Sequence, residues 1–143
     1  MGGPRCRERR AVGGVAPSGR RHVAEDGGVT DESKRPWGEY TVLADEPTFK
    51  AKTITVQPGK RLSYQLHHHR AEHWFVVQGQ GEVTLDGQQI PIAPGVAVDV
   101  PLGTPHRVAN TGAEPLIFVE VQHGTSFAED DIVRLEDDYG RSG

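Results

Sequence analysis

From Arg35 onward the chain is punctuated at intervals of about ten residues, and this rhythm narrows the available folds more than any other feature. Short β-rich runs alternate with turn dipeptides. The runs are GEYTVL (38–43), KAKTITV (50–56), LSYQLHHH (62–69), HWFVVQ (73–78), GEVTL (81–85), QQIPI (88–92), VAVDV (96–100), HRVAN (106–110) and PLIFVEVQ (115–122). Pro58-Gly59, Asp86-Gly87, Pro94-Gly95 and Thr111-Gly112 punctuate them. Their glycines accept the positive φ that tight turns require. Asp86-Gly87, two residues between two strands, is a strong hairpin signal. Helical periodicity is absent before residue 126. There, Ser126 followed by Glu129 predicts a capped helical turn through EDDIVRL. The expected fold is all-β and antiparallel, closed or doubled over so that its sheet edges are hidden.

The first 31 residues read differently. They are rich in Gly, Arg and Pro and lack apolar periodicity. Such a segment buries too little surface to offset its ordering entropy. Residues 1–31 are therefore expected to be a disordered tail, its Arg5–Arg10 cluster solvated, and 32–143 a single domain. A net charge of -4 gives no electrostatic reason to expect nucleic acid or an anionic membrane as partner. The lone cysteine, Cys6, permits no intrachain disulfide. With neither an apolar leader nor a membrane-spanning run, the expected location is the cytoplasm.

Four of the 7 histidines, His67, His68, His69 and His73, fall within one short stretch. Side chains alternate faces along a strand. In YQLHHH, Gln65, His67 and His69 share one face; Tyr64, Leu66 and His68 share the other. Past an Arg70-Ala71 turn, Glu72, Trp74 and Val76 share a face. A hairpin that turns Gln65, His67 and Glu72 inward gathers an amide carbonyl, an imidazole and a carboxylate. That set suits a divalent metal such as Zn, Mn, Fe, Co or Ni. A further ligand must come from elsewhere, and His106 is the candidate. It opens a strand behind a stiff turn made by Pro101, Gly103 and Pro105. His69 could replace Gln65 beside the metal or touch substrate. His73, of opposite parity to Glu72, is either a partner that orients a ligand or a packed strand residue. Trp37 and Trp74 are expected to pack, and Trp74 could also floor a sugar site.

Residues 59–79 and 95–110 resemble the two motifs of the cupin superfamily. The second reads Gly95, five residues, Pro101-x-Gly103, two residues, His106, three residues, Asn110. The first reads Gly59, five residues, Gln65-x-His67, four residues, Glu72, six residues, Gly79. It carries glutamine where many cupins have a histidine, and Gln-x-His is the form used by phosphomannose isomerases. RPWGEY (35–40), LSYQLHHHRAEHW (62–74), PHRVAN (105–110), EVQ (120–122) and EDDIVRLEDDYGR (129–141) together resemble the type II mannose-6-phosphate isomerase domain, over residues 35–141.

The resemblance implies a double-stranded β-helix, or jelly-roll barrel. It implies Gln65, His67, Glu72 and His106 as ligands of a divalent ion, with Zn, Mn or Co the expected choices. It implies functional roles for Arg70, Glu72 and Arg134 in catalysis, and for Arg70, His69 and Arg134 in binding a sugar phosphate. At such a site an arginine serves as a bidentate phosphate clamp. Arg134 has a competing reading as a surface partner of Glu129, Asp130, Asp131, Glu136 and Asp137. The implied reaction interconverts mannose 6-phosphate and fructose 6-phosphate through an enediol. Its base is left open among Glu72, His69 and His73. The resemblance also implies a homodimer, with RPWGEYTVL as an exchangeable edge strand. Family members usually carry a guanylyltransferase domain ahead of the cupin; here 34 residues precede the match, and the cupin is expected to stand free. Another cupin activity, such as a dioxygenase or a different sugar isomerase, and a non-catalytic sugar-binding role are the alternative classes.

Overall fold

The computed structural model describes residues 33–141, so the tail expected over 1–31 lies outside the described residues. The chain runs through β1 (Lys34–Arg35), β2 (Gly38–Asp45), β3 (Phe49–Val56), β4 (Tyr64–Leu66), β5 (Arg70–Gln78) and β6 (Gly81–Leu85). It continues through β7 (Gln88–Ile92), β8 (Ala97–Val100), β9 (His106–Asn110), β10 (Leu116–Gly124) and β11 (Val133–Glu136). One sheet has the order β1-β2-β3-β10-β5-β8 and the other β11-β4-β9-β6-β7. Every pairing is antiparallel. The all-β antiparallel fold expected from the turn rhythm takes the jelly-roll form that the cupin resemblance implies, and β6–β7 close on Asp86-Gly87 as the hairpin signal requires.

Alternation along the strands builds the interior. In β5, Arg70, Glu72, Trp74 and Val76 are buried while His73, Phe75 and Val77 are exposed. In β10, Leu116, Phe118, Glu120 and Gln122 are buried. The first sheet contributes Ile54, Val56, Trp74, Val76, Val98, Val100, Leu116 and Phe118 to the core, and the second contributes Val83, Ile92 and Val108. Each such side chain stabilises the fold by about 1.5–3 kcal/mol. The apolar residues fill one part of the interior. The inward polar residues of β3, β4, β5, β9 and β10 occupy another.

Two expectations fail locally. The run LSYQLHHH is a strand only over Tyr64–Leu66. After Leu66 the chain leaves the sheet, and the backbone N–H groups of His68 and His69 each donate to the Asp131 carboxylate at 2.9 Å. Face alternation therefore stops before His69. The capped helical turn expected through EDDIVRL is limited to a single 3₁₀ turn, Glu129–Asp131, and the segment continues into β11. Its N-cap is Ala128, without a side-chain capping bond. The β-branched Ile132 and Val133 favour extended backbone. The unpaired edge of β4 accepts that strand, with Val133 opposite Leu66 and Arg134 opposite Gln65.

Asn110, the last residue of the second motif, ties the sheets together. Its amide donates to the carbonyls of Val56 and Glu114, both at 2.8 Å, and its Oδ1 accepts from Gly112 N–H at 2.9 Å. Asn110→Ala should strand those groups inside the protein and cost about 2–3 kcal/mol. Urea unfolding should show a lower midpoint with an unchanged slope.

Candidate metal centre

Three buried side chains from three parts of the chain converge. His67 follows β4, Glu72 lies in β5 and His106 opens β9. One ligand atom from each lies within 4.8 Å of the others. The imidazole centroids of His67 and His106 are 5.0 Å apart. β4 meets β9 through Gln65 opposite His106, whereas β5 belongs to the facing sheet. The cluster thus spans the gap between the sheets.

Hydrogen bonds fix the tautomers. His67 Nδ1 lies 3.1 Å from the Asp131 carbonyl, and His106 Nδ1 lies 2.9 Å from the Thr104 carbonyl. A carbonyl only accepts, so each Nδ1 carries a proton and donates it. Each Nε2 then presents a lone pair when the ring is neutral, and burial lowers the His106 pKa and favours that form. Both Nε2 atoms are buried and make no hydrogen bond. A ligating histidine is oriented in this way, with its far nitrogen donating to a carbonyl or carboxylate.

Burial alone would raise the Glu72 carboxyl. The close approach of His67, His106 and Arg70 outweighs burial and holds the group far below the usual carboxylate range. Its Oε2 accepts from Trp74 Nε1–H at 2.9 Å. Its Oε1 lies 2.9 Å from His67 Nε2, without hydrogen-bond alignment, and 3.5 Å from Arg70 Nε. An ionised oxygen and an imidazole lone pair at that distance can be bridged by a cation. A divalent ion satisfies Glu72, His67 and His106 together, so the donor set fits a metal.

Glu72 of the cluster opens on a small cleft of about 60 Å³. Gln65, Arg70, Glu72, Glu120, Gln122, Lys52, Arg35, Arg134 and Arg141 line it. Gln65 is half-buried there, its Oε1 accepting from Ser63 Oγ at 2.8 Å. Arg70 is buried at the start of β5, rather than in an exposed turn, and donates to the Ala128 carbonyl at 3.3 Å. Arg134 is brought to the cleft by β11. His69 is not. It is exposed and outside the lining, because the strand alternation that would have aimed it inward ends at Leu66. His68 and His73 are also exposed, and His73 meets Asp99 on the outer face of the sheet.

Sequence reasoning missed four contributions. Trp74 packs on Phe118 and His106, with centroids 4.9 and 5.6 Å apart, and holds Glu72 as well. Asp131 anchors His67 through its carbonyl and the next two residues through its carboxylate. Glu120 and Gln122 share inward parity with Leu116 and Phe118 in LIFVEVQHG, and that alternation is the signal by which two buried polar residues could have been found.

Residues 24–137 match the family model described as mannose-6-phosphate isomerase C-terminal. The chain belongs to that cupin family. It is 49% identical over 111 residues to the alginate biosynthesis protein AlgA of Pseudomonas aeruginosa, covering 78% of this chain and 23% of that protein. It is 44% identical over 110 residues to a mannose-1-phosphate guanylyltransferase of Escherichia coli, covering 77% and 23%. The chain therefore spans about a quarter of the length of these curated relatives. Among solved structures, a Klebsiella pneumoniae protein with a double-stranded β-helix domain matches with a TM-score of 0.59 at 26% identity, covering 68% of this chain and 89% of that one. An oxalate decarboxylase variant of Bacillus subtilis matches at 0.62 and 26%, covering 71% and 29%. These family relationships agree with the β-helix and with the His/Glu/His cluster as a metal-competent site.

His67→Ala should abolish retention of one equivalent of metal after dialysis, read by elemental analysis; a full equivalent retained would remove His67 from the ligands. Asp131→Asn sets an amide N–H₂ against a backbone N–H and loosens the His67 loop. Metal affinity should fall about ten-fold or more, measured by competition with a chromophoric chelator.

Proposed function

We propose that the protein is a metal-dependent aldose–ketose isomerase that interconverts mannose 6-phosphate and fructose 6-phosphate. One observation carries this reading: Glu72 of the metal-competent cluster and five cationic side chains, Arg35, Lys52, Arg70, Arg134 and Arg141, line the same cleft. A sugar phosphate presents both matching chemistries, a dianion at one end and a carbonyl–hydroxyl pair at the other.

In this reading Gln65 joins His67, Glu72 and His106 as the fourth protein ligand. Its place in the cleft and its register opposite His106 support that role. A Zn, Mn or Co ion bound by this set, which carries one negative charge, supplies Lewis-acid polarisation of the sugar O1/O2 pair. Arg134 and Arg70 hold phosphate or enediolate oxygens in place, and that orientation lowers the barrier by fixing the reacting carbons. Gln122 Oε1 is buried and makes no hydrogen bond within the protein, so it can accept one from a sugar hydroxyl. Glu72 serves as a ligand and not as a free base, because Trp74, His67 and Arg70 surround both its oxygens. His69 and His73 stand outside the cleft and move no proton within it. A homodimer formed at the β1 edge of the first sheet, with RPWGEYTVL as the exchanged segment, belongs to the same proposal. Among the described residues no helix is long and apolar enough to cross a membrane.

Loaded separately with each of the three metals, the protein should convert mannose 6-phosphate to fructose 6-phosphate in a coupled assay, and a chelator should stop it. A fully loaded protein without turnover would sink the isomerase assignment and leave the metal centre standing. Arg134→Ala should raise KM for the phosphorylated sugar about ten-fold or more, an effect of one lost charge-assisted contact. An unchanged KM would return Arg134 to a surface role.

A further inference from the structure

A second buried carboxylate lines the cleft and has no task in the scheme above. Glu120 sits in the middle of β10, 5% exposed, opposite Lys52 of β3 and Trp74 of β5. Its neighbours of the same parity, Leu116 and Phe118, are core residues. A carboxyl at such a position lowers stability unless a function retains it. Glu120 Oε1 accepts a hydrogen bond from Gln122 Nε2. Lys52 is itself buried, its ammonium 4.5 Å from the centroid of the Tyr40 ring. Glu120, Gln122, Lys52 and Glu72 all face the same space.

We propose that Glu120 is the catalytic acid–base residue that carries the proton between C2 and C1 of the sugar. This rests on the isomerase reading above. Burial, helped by the Glu72 charge, pushes its carboxyl up to about 8 against the pull of Lys52. A carboxyl tuned near neutral pH both takes and returns a proton. The ionised carboxylate removes the proton from C2 of the open-chain aldose. The C–H electron pair becomes the C1=C2 bond, and the former carbonyl pair moves to O1, which takes the proton of the neighbouring O2 hydroxyl. The electron pair left on O2 then forms the C2=O bond, and the C1=C2 pair takes its proton at C1 from the Glu120 carboxylic acid. Atoms and charge balance with no external oxidant or reductant. Lys52 steadies the carboxylate form before the first transfer and after the second.

The test uses the full chain loaded with metal. E120Q keeps the shape and removes the acid–base function. Its kcat should fall about a hundred-fold or more. Its metal content and its stabilisation by mannose 6-phosphate in a thermal melt should match those of the unaltered protein. In deuterium oxide, the unaltered protein should place deuterium on the sugar carbon, and E120Q should not. Should E120Q fail to fold, E120D withdraws the carboxylate by one methylene and should still slow turnover and exchange. Turnover within a few-fold of normal in E120Q, or undiminished turnover in E120D, overturns the assignment. Exchange lost in K52Q but kept in E120Q also overturns it, in favour of Lys52. If the unaltered, metal-loaded protein gives neither turnover nor exchange, the isomerase reading itself falls and takes this assignment with it.

Discussion

An ionised carboxylate between two β-sheets has to be surrounded, and Glu72 is the residue around which the polar half of this interior is built. An unpaired charge in such a place costs several kcal/mol. Glu72 has a donor on one oxygen from Trp74, and His67 and Arg70 beside the other. Its nearest imidazoles are committed in their turn. His67 and His106 each spend their one N–H on a backbone carbonyl, which leaves lone pairs facing the carboxylate. The arrangement leaves room for a cation to be held by all three side chains at once. Metal competence therefore follows from the packing of the fold as much as from the identity of the ligands.

The chain's C-terminal stretch closes this arrangement. The turn Glu129–Asp131 reaches the ligand loop through three bonds from Asp131, and β11 continues as the edge partner of β4. Arg134 and Gln65 are register partners, and Gln65 is in turn the partner of His106. A shift of β11 would therefore move an arginine in the cleft and disturb His67 and His106 together. The metal-competent cluster and the cationic wall share one mechanical support.

Most of the fold was legible because period-2 alternation and glycine turns are local signals, and the interior of a small β-sandwich obeys them. Of the residues the cluster brings together, His67 and Glu72 were in view from strand parity and His106 from the motif resemblance. Parity failed at His69 because its premise failed: the strand ends at Leu66, where side-chain bonds from a residue more than sixty positions away take over the backbone. Nothing within LSYQLHHH encodes that contact. EDDIVRL misled in a similar way. Its capping pattern is helical, but a vacant strand edge and β-branched residues favoured extension. Glu120 was legible in principle. A charged residue in an inward apolar register is a visible anomaly, but the histidine cluster is the louder signal.

The charge distribution separates the cleft from the rest of the molecule. The whole chain carries a net charge of -4. The cleft sets five cations against three carboxylates, Glu72, Glu120 and Glu129. Arg35 is drawn toward Glu129 at 3.5 Å, and Arg141 toward Asp137 at 2.8 Å, so part of the excess is held by nearby acids. Glu120 with its raised pKa subtracts less negative charge than its formula suggests. Cations gathered in a concave, partly dry space on an acidic protein focus the field there. Such a field draws a small anion toward the cleft while the outer surface repels it.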